Sequence, residues 1–239
     1  MSGIERIYAT CEATWPPLST ERIGPWSVRN GAGGGKRVSA TTAEGAWDEA
    51  DIAAAEAAMR ALGQPELFMI RAGEAALDAA LEARGYTVID PVTAYAMPAQ
   101  EMAAGEIPTV CAFTVWEPLA MMRDIWDEGG IGPARREVMA RVRGPKTGLF
   151  GRLNDSPACA GFVAVHGDQA MVHALYVLPH QRGQGMAHYA MRRAARWAVE
   201  QGAAEITVLC TKENDAANRL YQGMGMTPVG AYHYRIRED

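Results

Sequence analysis

No two of the four cysteines, Cys11, Cys111, Cys159 and Cys210, form a C-x-x-C pair, so the spacing used by zinc knuckles and thioredoxin-like sites is missing. Reduced thiols and no metal are the expectation. A run of Lys or Arg is missing as well. With 23 basic against 28 acidic residues the formal charge is −5, which disfavours a phosphate-backbone partner and hence nucleic acid. No apolar stretch approaches the ~18–20 residues that span a bilayer. The opening MSGIERIYATCEATWPP has neither the basic start nor the apolar stretch of an export signal. A cytoplasmic protein with no membrane partner is expected. What is present is an ordinary globular composition: 239 residues, 49% hydrophobic and 21% charged, enough for one large domain or two small ones.

Glycine and proline punctuate the chain. Strands are expected at 26–29 and 36–40 around the glycine-rich turn 31–35, which reads as a hairpin tip in spite of the Lys36 that follows it. A helix should run from Asp48 to Leu62 and stop at Gly63 and Pro65, followed by a buried strand at 67–70, a helix at 74–83 and a strand at 87–97. The stretch 98–108, with Pro98 and Pro108 at its ends and no clear period, reads as a linker. After it come a strand at 109–115, two short helices near 118–127 and 133–143, and strands near 147–152, 159–166 and 171–178, the last two joined by Gly167-Asp168. A helix at 185–201, a strand at 205–210, a helix at 215–224 and a strand at 228–237 complete the order. The expected partition is 1–97, a linker 98–108, and 109–239, in a mixed α/β fold.

The two parts echo each other at an offset of 140 positions, which sets 71–86 on 211–226, 67–70 on 207–210 and 42–47 on 182–187. Helix, strand and glycine register together, so a duplicated unit is expected. The alternative is an unrelated α/β cap domain.

The stretch Leu175-Tyr176-Val177-Leu178-Pro179-His180-Gln181-Arg182-Gly183-Gln184-Gly185-Met186-Ala187 carries most of the chemistry. A buried strand ends at Pro179, a tight loop with two glycines follows, and a helix starts at once. Such a junction gathers free backbone N–H groups at a helix N-terminus, where a phosphate or pyrophosphate is favoured. The glycines let a ligand approach the backbone, Arg182 adds charge, and the proline ends strand pairing so that the strand edge can open. There is no G-x-G-x-x-G with a following acid and no G-K-[ST], so neither a dinucleotide fold nor a P-loop is indicated. A second pattern, Asn214-Asp215-Ala216-Ala217-Asn218-Arg219-Leu220-Tyr221-Gln222-Gly223-Met224-Gly225-Met226, follows the next strand.

Together these stretches resemble the GNAT superfamily of acyl-CoA-dependent N-acyltransferases. Arg182, Gly185 and Ala187 fill its [R/Q]-x-x-G-x-[G/A] loop, Val177 and Pro179 its V-x-P strand end, and the second stretch its N-x-x-A-x-x-L-Y-x-x-x-G-F, with Met226 in place of Phe. The resemblance covers roughly 108–237 and implies a tandem GNAT-like fold whose first copy is degenerate, since Thr42, Glu74 and Leu81 stand where Arg182, Asn214 and Tyr221 stand in the second. It further implies acetyl transfer from acetyl-CoA to an amine by direct attack in a ternary complex. The backbone of Leu175, Tyr176 and Val177 would bond the pantetheine amides. Arg182, Gly183, Gln184, Gly185, Met186 and Ala187 would hold the pyrophosphate, with Asn214 beside the cofactor and Tyr221 as general acid at the sulfur. An unperturbed phenol at about 10 against a thiol at about 8.5 makes that proton transfer uphill by only ~2 kcal/mol. The strand offers His173 alone as a base.

Plainer readings stand beside these. Asn214 suffices as a helix N-cap, Tyr221 as a helix residue reaching water, His173 as a structural histidine, and Arg192, Arg193 and Arg196 as a solvated face. The acceptor is expected to be a small-molecule or peptide amine. Protein N-terminal or lysine acetylation and a non-catalytic acyl-CoA sensor are the alternatives. Assembly as a homodimer stays open.

Overall fold

A computed structural model describes residues 3–237. The first part contains α1 (Gly3–Thr14), β1 (Ser19–Ile23), β2 (Trp26–Asn30), α2 (Lys36–Ser39), β3 (Thr42–Ala43), α3 (Glu49–Ala61), β4 (Glu66–Ile70), α4 (Ala75–Ala83) and β5 (Thr87–Pro98). The second contains α5 (Ala99–Ala103), β6 (Ala112–Val115), α6 (Ala120–Glu128), α7 (Pro133–Arg141), β7 (Lys146–Leu153), β8 (Ser156–His166), β9 (Gln169–Val177), α8 (Met186–Glu200), β10 (Glu205–Thr211), α9 (Asp215–Gly223) and β11 (Thr227–Arg237). A single 3₁₀ turn, Pro179–Gln181, separates β9 from α8.

Two sheets result. A small one has the order β1-β2-β3, and a mixed eight-stranded one has the order β4-β11-β5-β10-β9-β8-β7-β6. Side chains alternate across the large sheet as the pleat requires. On β8, Val163 and Val165 pack against Met191, Ala194, Ala195 and Ala198 of α8. Phe162 and Ala164 point the other way, toward Met122 and Trp126 of α6 and Val138 and Met139 of α7. The helix α1, absent from the expected element order, joins that second face, where Ile7 and Cys11 meet Met171 and Ala94.

The offset of 140 persists in three dimensions. Helices α4 and α9 start and end 140 apart, as do the first residues of β5 and β11. The pairing registers obey the same relation. Thr87 pairs with Ile236 and Ala96 with Thr227, a set that maps onto itself when 140 is added to the residues of β5. Likewise Met97 pairs with Ile206, and the equivalent Glu66 pairs with Arg237. The four strands β4-β11-β5-β10 therefore have an approximate two-fold relation, with β5 and β11 crossed over at its centre. Segments 1–97 and 109–239 share one sheet.

Two expectations need correction. Residues 36–40 form no strand: Lys36–Ser39 is helical, and the glycines before it make a tight loop in which the Gly34 N–H donates to the Gly31 carbonyl (2.8 Å). A Cβ on Gly34 would lie 2.6 Å from Val138 of α7, so this loop is glycine-rich because it packs against the second half. The stretch 98–108 opens with a helix whose Ala99 and Met102 are buried in the core under α8. Arg196 donates to the carbonyls of Ala103 and Gly105 and Arg192 to that of Glu106, so these arginines hold the segment down instead of forming a merely solvated face.

Candidate active site

The central feature is a fork between two parallel strands. β10 pairs with β9 from Glu205↔Gln169 to Val208↔Val172 and then stops. Beyond that point β9 bulges. Its pairing with β8 jumps from Phe162↔His173 to Ala160↔Tyr176, and Ala174 takes a φ of +51°. A bulge adds twist and bends the strand, which leaves the edge of Leu175–Val177 facing β10 without a ladder partner. The cleft that opens there has a volume of about 740 Å³. Leu175, Tyr176, Val177, Arg182, Gly183, Gly185, Met186, Ala187, Asn214 and Tyr221 line it.

At one end of the cleft lies the N-terminus of α8. Gly183 and Gly185 have φ of +75° and +84°, the left-handed region that glycine enters without penalty. Gly185 caps α8, and no side chain bonds the first turn, so its N–H groups are available to an anion. The Arg182 guanidinium lies over the Tyr176 ring (5.4 Å) and donates to the Val177 carbonyl (3.0 Å). Met186 is buried at 1% exposure, so its side chain packs while its helix-end backbone faces the cleft. Gln184 does not line the cleft; its side chain accepts from Asn154 (3.3 Å).

The equivalent helix in the first half is closed by its own acids. The Asp48 carboxylate accepts from the N–H groups of Ala50 (2.8 Å) and Asp51 (3.0 Å), and Asp51 accepts from the Asp48 N–H (2.9 Å). The first-turn N–H groups of Ala50 and Asp51 are therefore taken by the chain's own Asp48 carboxylate, unlike those of α8.

At the other end of the cleft α9 supplies Asn214 and Tyr221. Asn214 caps the helix, its Oδ1 accepting from the Ala217 N–H (3.1 Å). Tyr221 is 9% exposed; burial, with Cys210 beside it, holds its hydroxyl above the usual phenol range, so it is protonated at neutral pH. Burial likewise pushes the Cys210 thiol up to about 11, which keeps it a neutral thiol. The loop before α9 is tied by Asn218, which donates to the carbonyls of Thr211 (2.9 Å) and Asn214 (2.8 Å) and accepts from the Tyr95 hydroxyl (2.9 Å). Tyr95 comes from β5, and its ring centroid is 5.9 Å from that of Tyr221. No local motif marks Tyr95, because its role arises only when β5 inserts beside β10.

His173 lies on the opposite face from α8, away from the cleft. It stacks on Trp15 (4.9 Å between centroids) and is 3% exposed. Both ring nitrogens are engaged. The Thr14 hydroxyl gives its one proton to the Thr10 carbonyl (2.7 Å), so it must accept from Nε2–H of His173 (2.9 Å). Nδ1 is then unprotonated and accepts from Nη1 of Arg37 (3.1 Å). Burial and the Arg37 charge hold the imidazole well below the usual histidine range. No described group of His, Cys, Asp or Glu is placed to hold a metal ion, all four cysteines are free and buried, and no described helix is long and apolar enough to cross a membrane.

Residues 113–226 match the Acetyltransferase (GNAT) family. An uncharacterised N-acetyltransferase of Bacillus subtilis, YobR, is 27% identical over 246 residues, spanning 99% of this chain and all of that one. A GCN5-related N-acetyltransferase from Kribbella flavida superposes with a TM-score of 0.77 at 18% identity, over 100% of this chain and 97% of its own. A tandem GNAT protein from the clavulanic acid biosynthesis pathway gives 0.61 at 14% identity, over 95% and 86%.

Proposed function

Through residues 113–226 the chain belongs to the GNAT acetyltransferase family, and from that premise we propose that it transfers an acetyl group from acetyl-CoA to a primary amine of a small molecule. The observation that carries this reading is the alignment of three features in one cleft: an uncapped helix N-terminus, an unpaired strand edge, and a protonated tyrosine. An extended ligand with a pyrophosphate at one end, amides along its length and a sulfur at the other matches that sequence of features. In this reading the N–H groups of Gly183 to Ala187 and the Arg182 charge bind the pyrophosphate, Gln184 contributing its backbone. The backbone of Leu175, Tyr176 and Val177 bonds the pantetheine arm, and Asn214 frames it.

The amine attacks the thioester carbonyl through its lone pair, the carbon–sulfur bond breaks with its electron pair on sulfur, and the thiolate takes the Tyr221 proton. The attacking nitrogen loses its own proton to water, and the phenolate is reprotonated from solvent. Burial raises Tyr221 but would raise a thiol in the same cleft too, so the small gap between phenol and thiol persists. His173 receives no base role here, since both its nitrogens are spent. The first half, segment 1–97, holds no cofactor in this reading because Asp48 and Asp51 fill its helix start.

The test is Tyr221→Phe, assayed for CoA release across an amine panel and for acetyl-CoA affinity by calorimetry. Affinity should survive, and turnover should fall by ~10²–10⁴-fold, the usual worth of a positioned acid. A kcat within twofold of the parent overturns the acid role. Absence of acetyl-CoA binding by the parent protein would overturn the whole reading.

A further inference from the structure

A second cavity lies on the other face of the large sheet, under α1. Its walls include Tyr8, Trp15, Arg37, Met69, Leu209 and Tyr232. Met69 and Leu209 are 140 apart, so the cavity sits on the approximate two-fold relation of the halves. It also borders the fork. Leu209 is the first β10 residue beyond the last pair with β9, Val208↔Val172, and His173, the first β9 residue beyond that pair, is bonded to Arg37. Cleft and cavity therefore approach the fork from opposite faces of the sheet.

The charges around this cavity do not balance. Glu12 is spent on Arg29 through two bonds (3.2 and 2.9 Å). Arg71 is spent on Glu74 (3.2 Å) and Glu44 (3.5 Å). Arg37 forms no ion pair among the described residues. Its guanidinium bonds two uncharged groups, His173 through Nη1 (3.1 Å) and the Tyr232 hydroxyl, and its Nε is buried with no hydrogen-bond partner. A buried guanidinium lacking an anion is costly, and its planar fork suits a carboxylate. The same charge repels an ammonium group, so a plain cationic amine is poorly received here.

We infer that this cavity receives the acceptor, and that the acceptor is an amino acid or amino-acid-like amine whose carboxylate binds Arg37 while its amine points to the fork. The inference rests on the acetyl-transfer reading above and adds the substrate class. It makes the first half the acceptor-binding part of the enzyme, contributing Arg37, Tyr8 and Met69, and makes His173 a positioning residue that orients Arg37. Its place in the fold explains why His173 must stay neutral: a protonated ring would repel the guanidinium it holds.

The experiment uses the full chain and matched acceptors, each an L-amino acid, its amide and its decarboxylated amine, with acetyl-CoA saturating. The acid of at least one set should be preferred in kcat/KM by about 10–150-fold, the worth of a charge-assisted pair. Arg37→Met should erase that preference mainly through KM while acetyl-CoA affinity by calorimetry is unchanged, which also certifies folding. Should Arg37→Met fail to fold, Arg37→Lys, which keeps charge but not the planar fork, should weaken the acids at least threefold relative to the amides. Preference for amides or decarboxylated amines, or indifference to both variants, overturns the inference. Binding of the same amino acids is read separately by tryptophan fluorescence, since Trp15 lines the cavity. No carboxylate-dependent binding overturns the inference whatever the turnover. Carboxylate binding without transfer to any amine overturns the acetyl-transfer reading and leaves the anion site standing.

Discussion

Gly185 does two jobs that a side chain would forbid. Its φ of +84° belongs to glycine, and a Cβ there would stand 3.2 Å from the Tyr189 ring. Gly185→Val should therefore strain the loop and push a ligand off the α8 N-terminus. Calorimetry should read an acetyl-CoA affinity at least tenfold weaker in a protein that still folds, and an unchanged affinity would refute the loop assignment. His173 gives a pH signature of its own. Its folded pKa is depressed by burial and Arg37, so between that value and the unfolded value of about 6.5 the unfolded chain binds a proton that the native state refuses. The contribution to stability is complete above about pH 6.5 and is lost as the pH falls, at up to ~1.4 kcal/mol per unit. Urea titrations of the parent and of His173→Gln at pH 7.5 and 5.5 should show a steeper loss in the parent, and parallel losses would refute the assignment.

At the scale of elements, α3 precedes β4 as α8 precedes β10, yet the two helices start with opposite electrostatics. In α3 a reciprocal capping box of Asp48 and Asp51 satisfies the first turn, whereas α8 starts on glycine and leaves it open. Asp48→Ala should cost about 1 kcal/mol of stability, the usual worth of an N-cap, without touching acetyl-CoA affinity, whereas a glycine change in the α8 loop should affect binding. Thermal unfolding together with calorimetry separates the two, and a loss of affinity in Asp48→Ala would place the cofactor in the wrong half. The α9 element was legible as a motif, yet its anchoring was not. Asn218 bonds Tyr95 from a strand 123 residues earlier, and nothing local to either residue announces that pairing.

For the whole molecule the decisive fact is that β5 lies between β10 and β11. Removing it would strip β10 of its partner from Glu205 to Thr211 and β11 of its partner along most of its length, exposing two unpaired edges and the apolar residues behind them. A fragment spanning 109–239 should therefore show no cooperative unfolding transition and no acetyl-CoA binding, and should recover both when segment 1–108 is supplied in trans. A fragment that folds and binds by itself would overturn this view of the sheet. Strands from both sides of 98–108 share that one sheet.

The grouping of residues at the cleft is legible in the sequence. Gly183, Gly185, Arg182, Asn214 and Tyr221 lie within short stretches whose spacing reflects one strand, one turn and one helix, and such constraints leave a periodic trace. The offset of 140 was readable for the same reason, since α4 and α9 repeat one pattern of lengths and glycines. The helical turn at Lys36–Ser39 is not legible, because the glycines before it answer to Val138, a residue of the distant α7. His173 was read as a lone strand histidine and therefore as a base candidate. Only the approach of Thr14 and Arg37, 159 and 136 positions away, decides that both its nitrogens are occupied. Contacts between residues so far apart depend on which strand inserts beside which, and that choice is made by burial over the whole sheet rather than by any stretch of sequence.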